Sequence, residues 1–359
     1  MIYFIKIILQ FFRKLFLKER LDRDKVVVIS FHKIGDSVFT IPALKVLFEK
    51  FGSNLFVVCY EENKKIYELV FKGMNFIIIN EGDFYFRRFV GSRIRSRIKN
   101  APPKIIVDLL GNIKSASLLF FQKAERIYGF NEKEYLAGIY SDYISKRKTP
   151  HLIDVYLDVV EQIIPIRDRD SIKPFQNQLY ETNYILIHPF AGWKAKEWNL
   201  YKYFELAKKI ALEYTCVFTF PKNSIPVDEL ENLKGSEIIV RETNSIDELI
   251  DIIKSASVFV GNDSGPLYLA NLLGKPTFSI YGPTNPQYSL PFGDKHRFIQ
   301  HKIKCSPKEN EQYCFTDAGR KGCPEFICMN NLYLEEVYSS FIKFAEELGI
   351  EKIVRIIND

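Results

Sequence analysis

Along the chain, short apolar runs alternate with stretches in which apolar residues return every third or fourth position. Val26–Ser30, Leu55–Cys59, Phe76–Ile79, the start of 104–112 and Arg126–Phe130 read as strands in the first half. Tyr184–His188, Cys216–Phe220, Val258–Val260 and Thr277–Tyr281 do so in the second. Such runs are unbroken by polar residues, as expected of strands buried on both faces of a parallel sheet. Between them, Val38, Ile41, Leu44, Leu47 and Phe48 make one helical face. Further helices are predicted near 63–71, from about Phe84, over 200–214, 226–233, 245–255 and 267–273, and from Leu332 to about Leu348. Strands alternating with helices through both halves predict an α/β protein of two doubly wound domains. The polar, proline-ended stretch 166–174 is the expected linker, which gives domains over 25–174 and 175–359 after an N-terminal segment, 1–24.

The stretch 256–286 carries the densest chemistry. Asn262, Asp263 and Ser264 are each able to cap the helix that begins after Gly265-Pro266, and Gly274 stops that helix. The next strand ends at Gly282-Pro283-Thr284. A helix N-terminus beside such a turn, at the carboxyl end of a sheet, is an anion site, and a diphosphate fits it. In the first half, Gly35 permits a turn after the first strand and Asp36 or Ser37 caps the following helix. Asp36 therefore lies at the carboxyl edge of the sheet, either as a ligand of the site or as a helix cap alone.

Composition narrows the classes. The 359 residues carry a net charge of +6, and six cysteines over this length point to a reducing compartment and no disulfide framework. Residues 1–20 are apolar and basic together. Lys6, Arg13 and Lys14 interrupt the run, so it falls short of the roughly 20 apolar residues of a membrane span, and no signal-peptide pattern follows. The segment reads as a helix lying on an anionic membrane surface, or else packed on the protein itself. Arg87, Arg88, Arg93, Arg95, Arg97 and Lys99 form a second basic patch, suited to a phosphorylated or acidic acceptor, to lipid, or simply to solvent. No motif supports nucleic-acid binding, a nicotinamide fingerprint or a Walker loop. Cys305, Cys314, Cys323 and Cys328 lack the paired spacing of zinc sites, and no metal is expected.

Three of these stretches resemble glycosyltransferase family 9, the lipopolysaccharide heptosyltransferases. Gly261-Asn-Asp-Ser-Gly-Pro266, Gly274-Lys-Pro276 and Gly282-Pro-Thr-Asn-Pro286 follow the family's C-terminal signature, although Tyr268 stands where the family usually has His. Ile34-Gly-Asp36 with Pro42-Ala-Leu44 matches its N-terminal motif. Ile187-His-Pro189, Ala191, Lys196 and Trp198 match its central motif, with Phe190 in place of Gly. The resemblance implies the GT-B architecture, two Rossmann-like domains facing a cleft, with the last helix packing back across the first. It implies an inverting, metal-independent transferase without a cofactor. Its co-substrate would be a nucleotide-diphosphate sugar, ADP-heptose foremost, and its acceptor an envelope glycolipid at the cytoplasmic face of the membrane. Asp36 would be the general base. Lys196, Asp263, Ser264, Gly265, Gly282, Pro283 and Thr284 would hold the donor, while Gly35, Ser37, Arg93 and Asn112 would lie on the acceptor side. A sugar-nucleotide isomerase of the same fold and a catalytically silent binding subunit are the alternatives.

Overall fold

In the computed structural model, two six-stranded parallel sheets organise the chain. The structure describes residues 22–85, 103–119, 122–130, 138–145, 151–172, 184–233, 235–314 and 325–353, together with 89, 90, 94, 98 and 323. The N-terminal segment 1–20 and the basic residues Arg87, Arg88, Arg93, Arg95, Arg97 and Lys99 lie outside the described residues. Two compact units result, Met1–Lys148 with Leu152–Pro174 and Thr149–His151 with Phe175–Asp359.

In the first unit, β1 (Asp22–Ile29), β2 (Leu55–Cys59), β3 (Asn75–Ile78), β6 (Pro103–Asp108), β7 (Arg126–Phe130) and β8 (Asp142–Ile144) form a sheet in the order β3-β2-β1-β6-β7-β8. Helices α1 (Ile34–Phe51), α2 (Glu61–Glu68), α3 (Ile113–Leu119) and α4 (Leu152–Glu161) accompany it, and α1 packs against α2 and α4. Val26 to Ile29 are at most 1% exposed, which explains the continuous apolar run of this central strand. The strand order reverses between β1 and β6, and the loops leaving their carboxyl ends therefore flank the crevice in which such sheets bind ligands.

The second unit repeats the plan. Its sheet has the order β11-β10-β9-β12-β13-β14, from β9 (Tyr184–His188), β10 (Cys216–Pro221), β11 (Ile238–Thr243), β12 (Ala256–Asn262), β13 (Thr277–Tyr281) and β14 (His296–Gln300). Helices α5 (Leu200–Ala211), α6 (Val227–Leu230), α7 (Ile246–Lys254), α8 (Gly265–Leu272), α9 (Pro286–Ser289), α10 (Ile327–Asn330) and α11 (Leu334–Glu347) belong to it. Here the switch point lies between β9 and β12, whose register sets Gly261 opposite His188. A β-carbon on Gly261 would sit 2.8 Å from the His188 carbonyl oxygen and 2.9 Å from a Phe259 ring carbon. A strand carbonyl has no room to yield, so Gly261→Ala is expected to lower stability by about 1–3 kcal/mol, measured by urea unfolding.

Two expectations are corrected. The helix foreseen from Phe84 is instead a two-stranded antiparallel pair, β4 (Phe84–Tyr85) with β5 (Phe89–Val90). Helical backbone follows later, at Ile94 and Ile98, which are spaced one turn apart and both buried in the first unit's core. Helix α1 begins at Ile34 with Lys33 as its cap residue and no side-chain cap, so neither Asp36 nor Ser37 stands at the cap position. Helix α11 contributes its apolar face to the second unit's core. Val337, Phe341, Phe344 and Ala345 are buried in the second unit's own core, with Phe341 edge-on to Phe278 at 5.7 Å.

The linker is also less loose than its polarity suggests. The Arg169 guanidinium bonds Asp158 at 2.8 Å and Glu161, and reaches Asp154 at 3.4 Å, so residues of 166–172 are tied to α4.

Candidate functional site

In the second unit, the loop after β9 and the turns after β12 and β13 converge on one buried carboxylate. Asp263 is 1% exposed. The Lys196 ammonium lies 2.6 Å from its Oδ2, and the Thr284 hydroxyl donates to the same oxygen at 2.6 Å. The Tyr268 hydroxyl donates to Oδ1. Two of the three partners were expected to bind the donor separately; the structure joins them through Asp263. A carboxylate repels phosphate, and the Asp263 carboxylate holds one cation and two hydroxyls. An ammonium has three donors and the Asp263 contact uses one. Lys196, with 15% of its side chain exposed and its Nζ 5.0 Å from the centre of the Trp193 ring, retains hydrogen-bonding capacity for an anionic ligand.

The neighbouring turns are fixed for the same purpose. Asn262 Oδ1 accepts from Trp198 N–H at 3.1 Å and from the Tyr203 hydroxyl at 2.9 Å, while its Nδ2 donates to the Pro189 carbonyl at 2.6 Å. One buried amide thus locks the loop carrying Lys196 to the end of β12. Ser264 is the cap residue of α8, Gly265 opens the helix and Pro266 follows at the start. The Ser264 hydroxyl is buried and has no hydrogen-bond partner among the described residues, although a buried hydroxyl normally finds one. It lies at a helix N-terminus, a position that favours anions. The Gly282-Pro283-Thr284 turn is held from behind: Gln300 Nε2 donates to the Gly282 and Thr284 carbonyls, both at 2.9 Å, and Cys314 N–H to the Pro283 carbonyl at 2.6 Å. Gly282 also has no space for a side chain, since a β-carbon there would lie 2.4 Å from the Met329 sulfur.

His188, at the end of β9, is a structural residue. It lies beside Phe259, and burial pushes its pKa down from 6.5 to about 4. Its unfolded value is the higher one, so the stability it lends is complete above pH 6.5 and is lost as pH falls from there towards 4. Between pH 6.5 and 4.5 this group is expected to cost about 2–3 kcal/mol of stability. Urea unfolding at the two pH values checks it. The slope should be shallower in His188→Phe, and equal slopes would remove His188 from the account.

In the first unit, Asp36 sits in the first turn of α1, on the loop leaving β1 at the switch point. The helix N-terminus favours a charged carboxylate there. Its place is set by a buried network. Asn63 Nδ2 donates to the His32 carbonyl and to the Ser37 hydroxyl, both at 2.8 Å, and Ser37 donates to the Lys33 carbonyl at 3.1 Å. Tyr67 meets the Ser30 and Thr40 hydroxyls at 2.8 and 3.0 Å. Ser37 is thereby tied into the first unit's framework. Asn112 Oδ1 caps α3 through the Lys114 and Ser115 N–H groups at 2.9 and 3.3 Å. Asp108 stands at the end of β6. It is fully buried and accepts from the Tyr140 hydroxyl at 2.7 Å and from Leu110 and Gly111 N–H at 2.9 and 3.1 Å. Burial holds its pKa above the usual carboxylate value. Tyr268 and Asn262 were passed over as site residues, although both stand inside the motif.

Among the described residues, no group of three or more His, Cys, Asp or Glu is arranged to hold a metal ion. No helix among them is long and apolar enough to cross a membrane.

A model of glycosyltransferase family 9 (heptosyltransferase) matches residues 92–318. The chain belongs to that family. Over 223 residues this family 9 chain is 26% identical to lipooligosaccharide heptosyltransferase 2 of Haemophilus influenzae. The match takes in 54% of this chain and 64% of that protein, so the chain spans a little under two thirds of the relative's length. The solved glycosyl transferase family 9 structure from Veillonella parvula aligns with a TM-score of 0.71 at 18% identity, covering 92% of this chain and 99% of that one. E. coli heptosyltransferase WaaC with ADP aligns with a TM-score of 0.65 at 15% identity, covering 90% and 99%. At such identities the likeness speaks for the fold, and the fold is the GT-B kind.

Proposed function

We propose that this family 9 chain is an inverting glycosyltransferase that moves heptose from ADP-heptose to a lipopolysaccharide core or another envelope glycolipid. The observation that carries the reading is the cluster at the β9–β12 switch point. There a buried carboxylate presents Lys196 and Thr284 beside a helix N-terminus whose Ser264 hydroxyl is unpartnered. That set suits a diphosphate, because it supplies positive charge and donors where charge develops as the diphosphate leaves. The second unit would accordingly hold the donor and the first unit, with Asp36, the acceptor.

In the reaction, an acceptor hydroxyl oxygen bonds to the anomeric carbon as the bond to the diphosphate breaks. Asp36 takes the hydroxyl proton as this happens. The electron pair leaves with ADP, and Lys196, the α8 N–H groups and Ser264 stabilise it. Lys196 provides this charge without a divalent ion, so transfer is expected to proceed without one. The basic segments around residues 1–24 and at Arg93 would attach the enzyme to the anionic inner face of the cytoplasmic membrane and draw in a phosphorylated acceptor.

A donor screen by calorimetry tests the reading, with ADP-heptose, other ADP-sugars and UDP-sugars. ADP-heptose should bind most tightly. Preference for a UDP-sugar would overturn the choice of donor, and binding of none by folded protein would favour the silent subunit.

A further inference from the structure

Tyr268 stands in the middle of the donor cluster yet is only 4% exposed, and its hydroxyl is occupied by the Asp263 carboxylate. A side chain so placed is screened from a ligand. It acts, if at all, through its neighbour. The two oxygens of Asp263 have different duties: Oδ1 takes the Tyr268 hydroxyl, whereas Oδ2 takes both Lys196 and Thr284 at 2.6 Å. The terminal torsion of an aspartate is soft, so an oxygen without a partner leaves the carboxylate free to turn.

We propose that Tyr268 is a positioning residue of the donor site, which fixes the rotation of the Asp263 carboxylate and thereby aims Lys196 and Thr284 at the donor diphosphate. The inference rests on the reading of this cluster as the diphosphate site. The tyrosine is itself held: its hydroxyl lies 3.4 Å from that of Tyr281, which donates to the Ser289 carbonyl at 3.2 Å. Burial, and then the Asp263 charge, push the Tyr268 pKa well above 10, so the phenol stays a neutral donor throughout the working range. The histidine that the family usually carries at this position has an unperturbed pKa of about 6.5. A tyrosine therefore makes the lock independent of pH in a way that a histidine does not.

Removing the hydroxyl costs a hydrogen bond to a charged group, so Tyr268→Phe is expected to weaken ADP binding about tenfold. Tyr268→His restores a donor and should recover ADP affinity to within about threefold of the unaltered protein. A filler of space would give the reverse order, with Phe harmless and His harmful, and that order overturns the proposal. The decisive readout is a double-mutant cycle with Lys196→Met, measured as ADP affinity by calorimetry. If Tyr268 acts through the aim of Lys196, the double variant binds no more weakly than Lys196→Met alone. Additive losses overturn the proposal. Should Lys196→Met fail to fold, the cycle is run between Tyr268→Phe and Thr284→Val with the same two outcomes. If the unaltered protein binds no ADP, the diphosphate site itself is wrong and the inference falls with it. If the unaltered protein binds ADP and the cycle is additive, only the role of Tyr268 falls.

Discussion

Asp36→Ala is expected to lower glycosyl transfer by about 10²–10⁴-fold, the contribution of a positioned general base, while ADP-heptose affinity stays within about twofold. Asp36 belongs to the first unit, in the first turn of α1, and every residue assigned to the diphosphate belongs to the second. Loss of the carboxylate also removes a favourable charge from the first turn of α1, worth about 0.3–1 kcal/mol. That is too little to unfold the domain. Asp36→Asn separates the two effects, because it keeps the shape and removes the base. Single-turnover transfer and calorimetric donor binding on the same preparations give the split. A parallel loss of both would make Asp36 a structural residue.

The second large effect is expected from Lys196→Met. It removes the cation proposed to meet the diphosphate, so both donor affinity and transfer should fall, the latter by about 10²–10³-fold as for other lost transition-state donors. It also strands the Asp263 carboxylate, which is 1% exposed. Breaking a buried pair on one side costs about 3 kcal/mol or more. Asp263→Asn added to Lys196→Met should return part of that stability without returning activity, since the amide needs no counter-charge. Urea unfolding with transfer assays on the single and double variants checks both halves. An unchanged stability in Lys196→Met would mean that the pair is not formed in solution.

The central strands were legible because burial on both faces leaves a continuous apolar run. β2, β7, β9 and β13 occupy the residues that their hydrophobicity marks, or within one of them. Three of the four edge strands, β8, β11 and β14, were not. β11 contains Ile239 and Val240, 42% and 39% exposed, among charged residues, and β14 reads His-Arg-Phe-Ile-Gln with every residue partly exposed or exposed. A strand half in water has no unbroken run to find. The start of α1 was missed for another reason. Asp36 and Ser37 have the right chemistry for a cap, yet the bonds of Asn63 to His32 and Ser37 let α1 begin at Ile34. That tertiary contact leaves no trace in local sequence.

The candidate site was legible residue by residue, not as a unit. Lys196, Asp263 and Thr284 stood in recognisable motifs, but their bonding to one another depends on β9 lying beside β12 and β12 beside β13. Asn262 and Tyr268 look locally like a strand end and a helix residue. Their roles come from the partners they reach across the fold, Trp198 and Tyr203 for the first and Asp263 for the second.

The most direct measurement is mass spectrometry of a heptose-deficient lipopolysaccharide core acceptor after incubation with the full chain and ADP-heptose, with and without a chelator. The account predicts an acceptor heavier by one heptose, formed at the same rate in both, with ADP released in equal amount. No gain in acceptor mass from protein that binds ADP-heptose would contradict it.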